Sequence, residues 1–422
     1  MIAEISCKEA FGEVTVIPSK SAAHRLLISA ALADAPTEIA CDASSKDIAA
    51  TVRCLNALGA EICERDGVYF VTPIKKKEKA EAFCGESGST LRFLVPVAAV
   101  LGGEVTFDGE GRLPTRPMQV LVECMEENGA EIEYDGILPL TTRGGMKSGI
   151  YKIPGNVSSQ FISGLIFALP LLSGDSIIEI SGKIESLPYI EMTLDSVKKF
   201  GIKAEFSENT IKIPGGQKYI SPGRLTVEGD WSNAAFWLCL GALSEKGVTC
   251  RGIRKSSIQG DREIVDILKR FGAEVSQSDE SVTVRKGKLS GISIDAAAIP
   301  DLVPIITVIA SVSEGETIIY NAERLRIKES NRIESTVAML KKLGAEGYPT
   351  EDGIRVIGKE KLSGGEVESF NDHRIAMSAA ISAAVCDGVV RITSAEAVSK
   401  SYGDFFERYI SLGAIVNKRE VQ

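Results

Sequence analysis

The segment Lys328-Glu329-Ser330-Asn331-Arg332 puts a lysine, a carboxylate and an arginine within little more than one helical turn. Such a set can grip an anion and move a proton beside it. Asp301 interrupts the apolar run Ala296 to Val312, where an unpartnered charge is costly, so it reads either as a helix cap or as a base. Related polar clusters are Ser19-Lys20-Ser21 with Arg25, Gly85 to Arg92, Thr115-Arg116-Pro117, Ser158-Ser159-Gln160, Ser186-Leu187-Pro188-Tyr189, Asn371-Asp372-His373-Arg374 and Lys400-Ser401-Tyr402. Each reads as a helix start, where unpaired N–H groups and a partial positive charge gather anions. Ser21 and Arg25 share a face, with Lys20 in the first turn, and the three can hold a phosphate together, with Ala23, Leu26, Leu27 and Ala30 on the buried side. The plainer alternative for every cluster is a capped helix with solvated charges, and for His373 a core histidine beside a cap. The Gly85 to Arg92 stretch lacks the Gly-Lys-Ser/Thr ending of a nucleotide-binding loop.

These clusters recur because the chain recurs. LGAEI at Leu58, NGAEI at Asn128, FGIKA at Phe200, FGAEV at Phe271, LGAEG at Leu343 and LGAIV at Leu412 place glycines at 59, 129, 201, 272, 344 and 413, separated by 70, 72, 71, 72 and 69 residues. Each glycine is expected to close an amphipathic helix such as Arg262 to Phe271 before a strand begins. The runs Val14 to Ile17, Val105 to Phe107, Ser176 to Ile180 and Thr317 to Ile319 read as strands. The pattern predicts an α/β protein of six repeats, each a strand, helix, strand, helix and strand pair, with the polar clusters at equivalent helix starts.

Composition narrows the function. With 422 residues and 44% hydrophobic content the chain has enough apolar material for two domains. A net charge of -9 argues against a general nucleic-acid binder, so any anion must be held by a local site. The longest apolar stretch, Phe161 to Leu172, is too short to span a bilayer. Nine cysteines from Cys7 to Cys386 without a CxxC pair fit reduced thiols in a cytoplasm. Only two histidines, His24 and His373, make a histidine zinc site improbable. The chemistry is left to Lys, Arg, Asp and Glu.

Taken together in their order and spacing, Pro18 to Arg25, Leu113 to Pro117, Val157 to Phe161, Ser186 to Tyr189, Arg324 to Arg332, Asn371 to Arg374 and Lys400 resemble the enolpyruvyl transferases, and among them the branch acting on shikimate 3-phosphate, along essentially the whole chain. The resemblance implies a two-domain fold, an inside-out α/β barrel with three βαβαββ-type repeats per domain. The domains would be 1–16 with 228–422, and 17–227, closing around substrates bound between them. It implies a monomeric cytoplasmic enzyme with small-molecule substrates, no metal, no organic cofactor, and no nucleic-acid or membrane partner. Carried over, Lys20, Ser21, Arg25, Ser158, Ser159, Gln160, Ser186, Asp301 and Lys328 would bind shikimate 3-phosphate, with Tyr189 near its ring. Lys20, Gly88, Arg116, Gln160, Arg332, Arg374 and Lys400 would hold phosphoenolpyruvate. Glu329, assisted by Lys20, would protonate the methylene carbon, and Asp301 would take the proton of the attacking 5-hydroxyl.

The sequence departs from the family pattern at Glu86, where many relatives carry asparagine, at Ser89, near their usual threonine, and at Arg324, where some have asparagine. Two rival readings stand beside the first. The sister enzyme acting on UDP-N-acetylglucosamine typically has a reactive cysteine in the loop that here reads Gly109-Glu110-Gly111-Arg112-Leu113-Pro114-Thr115, and Cys124 comes later, on the helix. A non-catalytic repeat scaffold would explain six copies, but not the matched charges at their helix starts.

Overall fold

A computed structural model of the chain describes residues 1–43 and 45–420. It divides into two compact units, Met1–Ser19 with Glu228–Gln422, and Lys20–Val227. The chain crosses from the first to the second after Ser19 and not at residue 16, because Pro18 forms a β-bridge with Gly229 and Ser19 N–H donates to the Glu228 carbonyl.

Among the described residues the strands form six four-stranded sheets, three in each unit. One repeat shows the pattern of all. Strand Lys79–Phe83 leads into helix Gly88–Leu101 and returns as the parallel strand Glu104–Asp108. Helix Gln119–Glu126 follows, and then the antiparallel strands Ile132–Glu133 and Leu140–Thr142. The six repeat glycines all sit at positive φ, from 79° to 110°, which an L side chain rarely adopts. At Gly272 the amide donates back to the Leu268 and Lys269 carbonyls and ends helix Ile264–Phe271. Arg262 and Glu263, the first residues expected in that helix, belong to the 3-10 turn Gly260–Glu263.

Three sheets are completed from distant parts of the chain, one of them by strand Gly12–Thr15 running parallel to Val248–Arg251. Strand Ile2–Ser6 lies between Val390–Thr393 and Ile415–Arg419, antiparallel to both. In the other unit Arg224–Thr226 runs parallel to Thr37–Ala40. Each unit has its own core. Trp237, Phe405 and Tyr409 pack within one, and Phe93, Phe161 and Phe167 within the other.

Helices Gly88–Leu101 and Ser159–Ala168 approach closely for a local reason. Pro96 has no amide hydrogen to offer the Arg92 carbonyl one turn back. Gly164 has no side chain to keep the second helix off that oxygen, for a Cβ there would lie 2.3 Å from it. This contact brings Arg92 and Gln160, at the starts of the two helices, within reach of each other.

Candidate active site

In the unit Lys20–Val227 the expected anion-binding residues stand at helix starts. Lys20 opens helix Lys20–Ala31, and its Nζ lies 2.8 Å from Asp47 Oδ2 in the first turn of helix Lys46–Leu58. Arg25 shares a side of the helix with Ser21, but that side is covered. It is buried, donating to Thr193 Oγ1 (2.8 Å) and to the carbonyls of Ser21 (2.7 Å) and Tyr189 (2.9 Å), with its guanidinium over the Phe93 ring. Burial lowers its pKa to about 10. Arg25 thus ties the Lys20 helix to the segment after Ser186, whose backbone is held at φ 56° just before helix Leu187–Lys199.

Ser158 caps helix Ser159–Ala168 by accepting from Gln160 N–H. The Gln160 amide then bridges two groups, its Oε1 accepting from Arg92 Nη1 (2.8 Å) and its Nε2 donating to Ser89 Oγ (2.9 Å). Gly88, at the start of its helix, faces Arg116 and Arg92. A Cβ built on it would lie 2.7 Å from Arg116 Nη1 and 2.9 Å from Arg92 Nη1. Two guanidiniums and a helix N-terminus therefore converge on a residue with no side chain. Glu86 in the same turn rests against Gly111, where a Cβ would lie 2.5 Å from Glu86 Oε2.

In the other unit the expected residues surround one buried arginine. The Arg332 side chain, 2% exposed, donates from Nε to Asp372 Oδ2 (2.8 Å), from Nη1 to Asp301 Oδ1 (2.8 Å), and from Nη2 to Glu329 Oε2 (2.7 Å) and Asp372 Oδ1 (3.3 Å). Arg374 donates to the Asp301 carbonyl and Oδ2, both at 3.1 Å, and Lys328 Nζ is 3.9 Å from Asp301 Oδ1. Lys400 Nζ donates to the Asn371 carbonyl at 2.8 Å. Four cations, Arg332, Arg374, Lys328 and Lys400, thus stand with three carboxylates, with Asn331 capping helix Arg332–Lys342 and Asp372 capping His373–Ser382.

Electrostatics follows from this packing. Burial opposes the charge on Asp301, but the fields of Arg374, Lys328 and Arg332 outweigh it and hold the carboxyl well below the usual carboxylate range. Burial, with Arg324 and Arg332 nearby, lowers Lys328 to about 8 against the pull of Asp301. Arg332 is raised despite burial, by Asp372, Glu329 and Asp301.

Several members of these groups were not foreseen as site residues. Asp47, Arg92 and Thr193 in one unit, and Asp372 as the buried partner of Arg332 in the other, are joined to the expected residues only by the fold. Asp261 is another. It is fully buried, its Oδ2 accepts from Ser232 Oγ, and burial together with the charge of Asp301 raises it to about 7. A QGD turn carries no signal that its carboxylate lies near Asp301.

Each unit gathers cations near helix starts, an arrangement that suits the handling of anionic small molecules. The family model for EPSP synthase (3-phosphoshikimate 1-carboxyvinyltransferase) matches residues 7–409. A 3-phosphoshikimate 1-carboxyvinyltransferase of Clostridium acetobutylicum is 46% identical over 417 residues, 96% of each chain. That of Clostridium kluyveri is 44% identical over 413 residues, 97% of each. A solved EPSP synthase of Acinetobacter baumannii superposes with a TM-score of 0.84 at 26% identity, over 99% of this chain and 100% of that one. The chain belongs to the EPSP synthase family.

Proposed function

We propose that this chain transfers the enolpyruvyl group of phosphoenolpyruvate to the 5-hydroxyl of shikimate 3-phosphate, releasing phosphate, as its family and relatives indicate. The observation that carries the reading at the level of residues is Arg332 held among Asp301, Glu329 and Asp372. These carboxylates occupy the donors that would hold the substrate's anionic groups. When phosphoenolpyruvate takes over Arg332, Arg374 and Lys400, Glu329 and Asp301 lose their guanidinium partners and become available for proton transfer.

In the addition step Glu329, assisted by Lys20, delivers a proton to the methylene carbon. Asp301 takes the proton of the 5-hydroxyl as its oxygen attacks the adjacent carbon. Elimination then expels phosphate toward the cations while the new methyl group gives up a proton. In this scheme Lys20, Gly88, Arg116 and Gln160 also hold phosphoenolpyruvate. Lys20, Ser21, Ser158, Ser159, Gln160, Ser186, Asp301 and Lys328 hold shikimate 3-phosphate, beside the Tyr189 ring. Arg25 belongs to the same set, three of its five N–H groups going to Thr193 Oγ1 and to the carbonyls of Ser21 and Tyr189. A monomeric state and a cytoplasmic location belong to the same reading. Among the described residues no helix is long and apolar enough to cross a membrane.

The test is phosphate release from phosphoenolpyruvate with shikimate 3-phosphate or UDP-N-acetylglucosamine as acceptor. Turnover is expected with the shikimate acceptor alone, falling by about 10²- to 10⁴-fold in Asp301→Ala and in Glu329→Gln. Release with only the sugar nucleotide would move the assignment to the sister activity. Cys124, the cysteine nearest that loop in sequence, is buried with its thiol pushed up to about 12.

Gly88→Ala probes the donor side. Its methyl group forces the Arg116 and Arg92 guanidiniums to swing aside, since both are flexible side-chain ends. The KM for phosphoenolpyruvate is expected to rise on the order of tenfold to a hundredfold with little change in melting temperature. An unchanged KM would show that these guanidiniums do not meet the donor.

A further inference from the structure

Four buried side chains that take no part in the scheme above run in a line through the unit Lys20–Val227. His24 Nδ1 is 2.6 Å from Thr51 Oγ1, Thr51 Oγ1 is 2.7 Å from Thr90 Oγ1, and Thr90 Oγ1 is 2.8 Å from Ser87 Oγ. None is more than 1% exposed. They come from helix Lys20–Ala31, helix Lys46–Leu58 and the turn that opens helix Gly88–Leu101.

Counting hydrogens gives the line a direction. A hydroxyl has one hydrogen to donate. Thr90 gives its own to Ser87, so the contact between the threonines must use the hydrogen of Thr51. Thr51 can then only accept from His24, and Nδ1 must carry the imidazole hydrogen. The ring is uncharged, because burial lowers its pKa to about 3 against the attraction of Asp47 and with the repulsion of Lys20 and Arg25. Its Nε2 is therefore a bare acceptor, and that atom is buried with no hydrogen-bond partner.

The line also forms one rung of a ladder. Lys20 and His24 are one turn apart on their helix, as Asp47 and Thr51 are on theirs, and the pairs Lys20–Asp47 and His24–Thr51 join the two helices side by side. When Lys20 turns to an anionic substrate it leaves Asp47, and the neutral rung is what keeps the helices in register. We propose that His24, Thr51 and Thr90 are positioning residues for the enolpyruvyl donor, a one-way hydrogen-bond chain that holds the Gly85 to Gly88 turn in place against the Lys20 helix. This inference rests on the assignment of Lys20, Gly88 and Arg116 to phosphoenolpyruvate.

Thr51→Val keeps the bulk and removes the hydroxyl, while Thr51→Ser keeps the hydroxyl. In phosphate-release assays with each substrate varied in turn, Thr51→Val is expected to raise the KM for phosphoenolpyruvate about tenfold. The KM for shikimate 3-phosphate should stay within about twofold, and Thr51→Ser should restore the parent values. With only two histidines in the chain, nitrogen-15 shifts identify the His24 tautomer directly. The parent protein should show hydrogen on Nδ1 alone and Thr51→Val a mixture. An Nε2-protonated His24 in the parent overturns the proposal. So does a Thr51→Val enzyme whose two KM values rise equally, or do not change. A folded parent that releases no phosphate refutes the proposed function instead, and the tautomer read on the same sample still decides whether the chain is directed.

Discussion

Replacing Arg332 with alanine is expected to cost the unit that holds it about 3–5 kcal/mol and to remove measurable turnover. The cost does not come from the lost attraction alone. Asp372 is fully buried and accepts from both Nε and Nη2, while Asp301 and Glu329 each accept from a terminal nitrogen. Deleting the guanidinium leaves three carboxylates facing one another, with Arg374 and Lys328 reaching only Asp301 among the contacts described above. Arg332→Lys should recover part of the stability and little of the turnover, because an ammonium cannot reproduce a planar fork that meets three carboxylates at once. Denaturant midpoints and phosphate release measured together decide the matter. An alanine variant as stable as the parent would mean that the cluster contributes nothing to the fold.

Acidification from pH 7 to pH 4 is expected to weaken the unit Lys20–Val227 by on the order of 3 kcal/mol through His24 alone. In the folded protein burial keeps the imidazole from protonating until about pH 3, against 6.5 in the unfolded chain. Below pH 6.5 the unfolded state therefore binds a proton that the folded state refuses, and stability falls with pH. Asp261, in the other unit, has the opposite sign. Its carboxyl keeps its proton up to about pH 7, against 3.8 when unfolded, so its contribution rises as pH falls through that window. Both tryptophans, Trp231 and Trp237, lie in the unit with Asp261. Fluorescence thus follows that unit, while circular dichroism follows both. On acidification the dichroism midpoint should drop more than the fluorescence midpoint, and His24→Gln should narrow the difference to the part that Asp261 supplies. Equal shifts in parent and variant would remove His24 as the cause.

Much of the architecture was legible because it is local and repeated. A glycine after an amphipathic helix ends it for reasons carried by a few neighbouring residues, and six such glycines at near-constant spacing fix the count of units. Most helix starts were legible for the same reason, but Lys400 closes the 3-10 helix Ala395–Lys400 and Arg116 follows the 3-10 turn Leu113–Thr115. What could not be read was where each charge finds its partner. Arg25 was placed beside Ser21, whose carbonyl it meets, but its side chain also reaches Thr193, 168 residues away. Spacing along a helix gives the face a side chain occupies, not whether another helix covers that face. Asp372 looked like a cap, which it is, but the same carboxylate also anchors Arg332, 40 residues away. Asp261 gave no signal at all, since its perturbation needs Asp301 nearby and water excluded, and both are properties of the folded unit.

The strand Ile2–Ser6, seated in the middle of a sheet between Val390–Thr393 and Ile415–Arg419, sets a timetable for biosynthesis. Residues 2–6 must wait until residues 390–393 and 415–419 have been made before their sheet can close. The continuous segment 20–227, with its own core and three sheets, can finish while its companion unit is still being translated. During that interval the early strand offers unpaired edges on both sides, and its short length and the charge at Glu4 limit what else can pair with it.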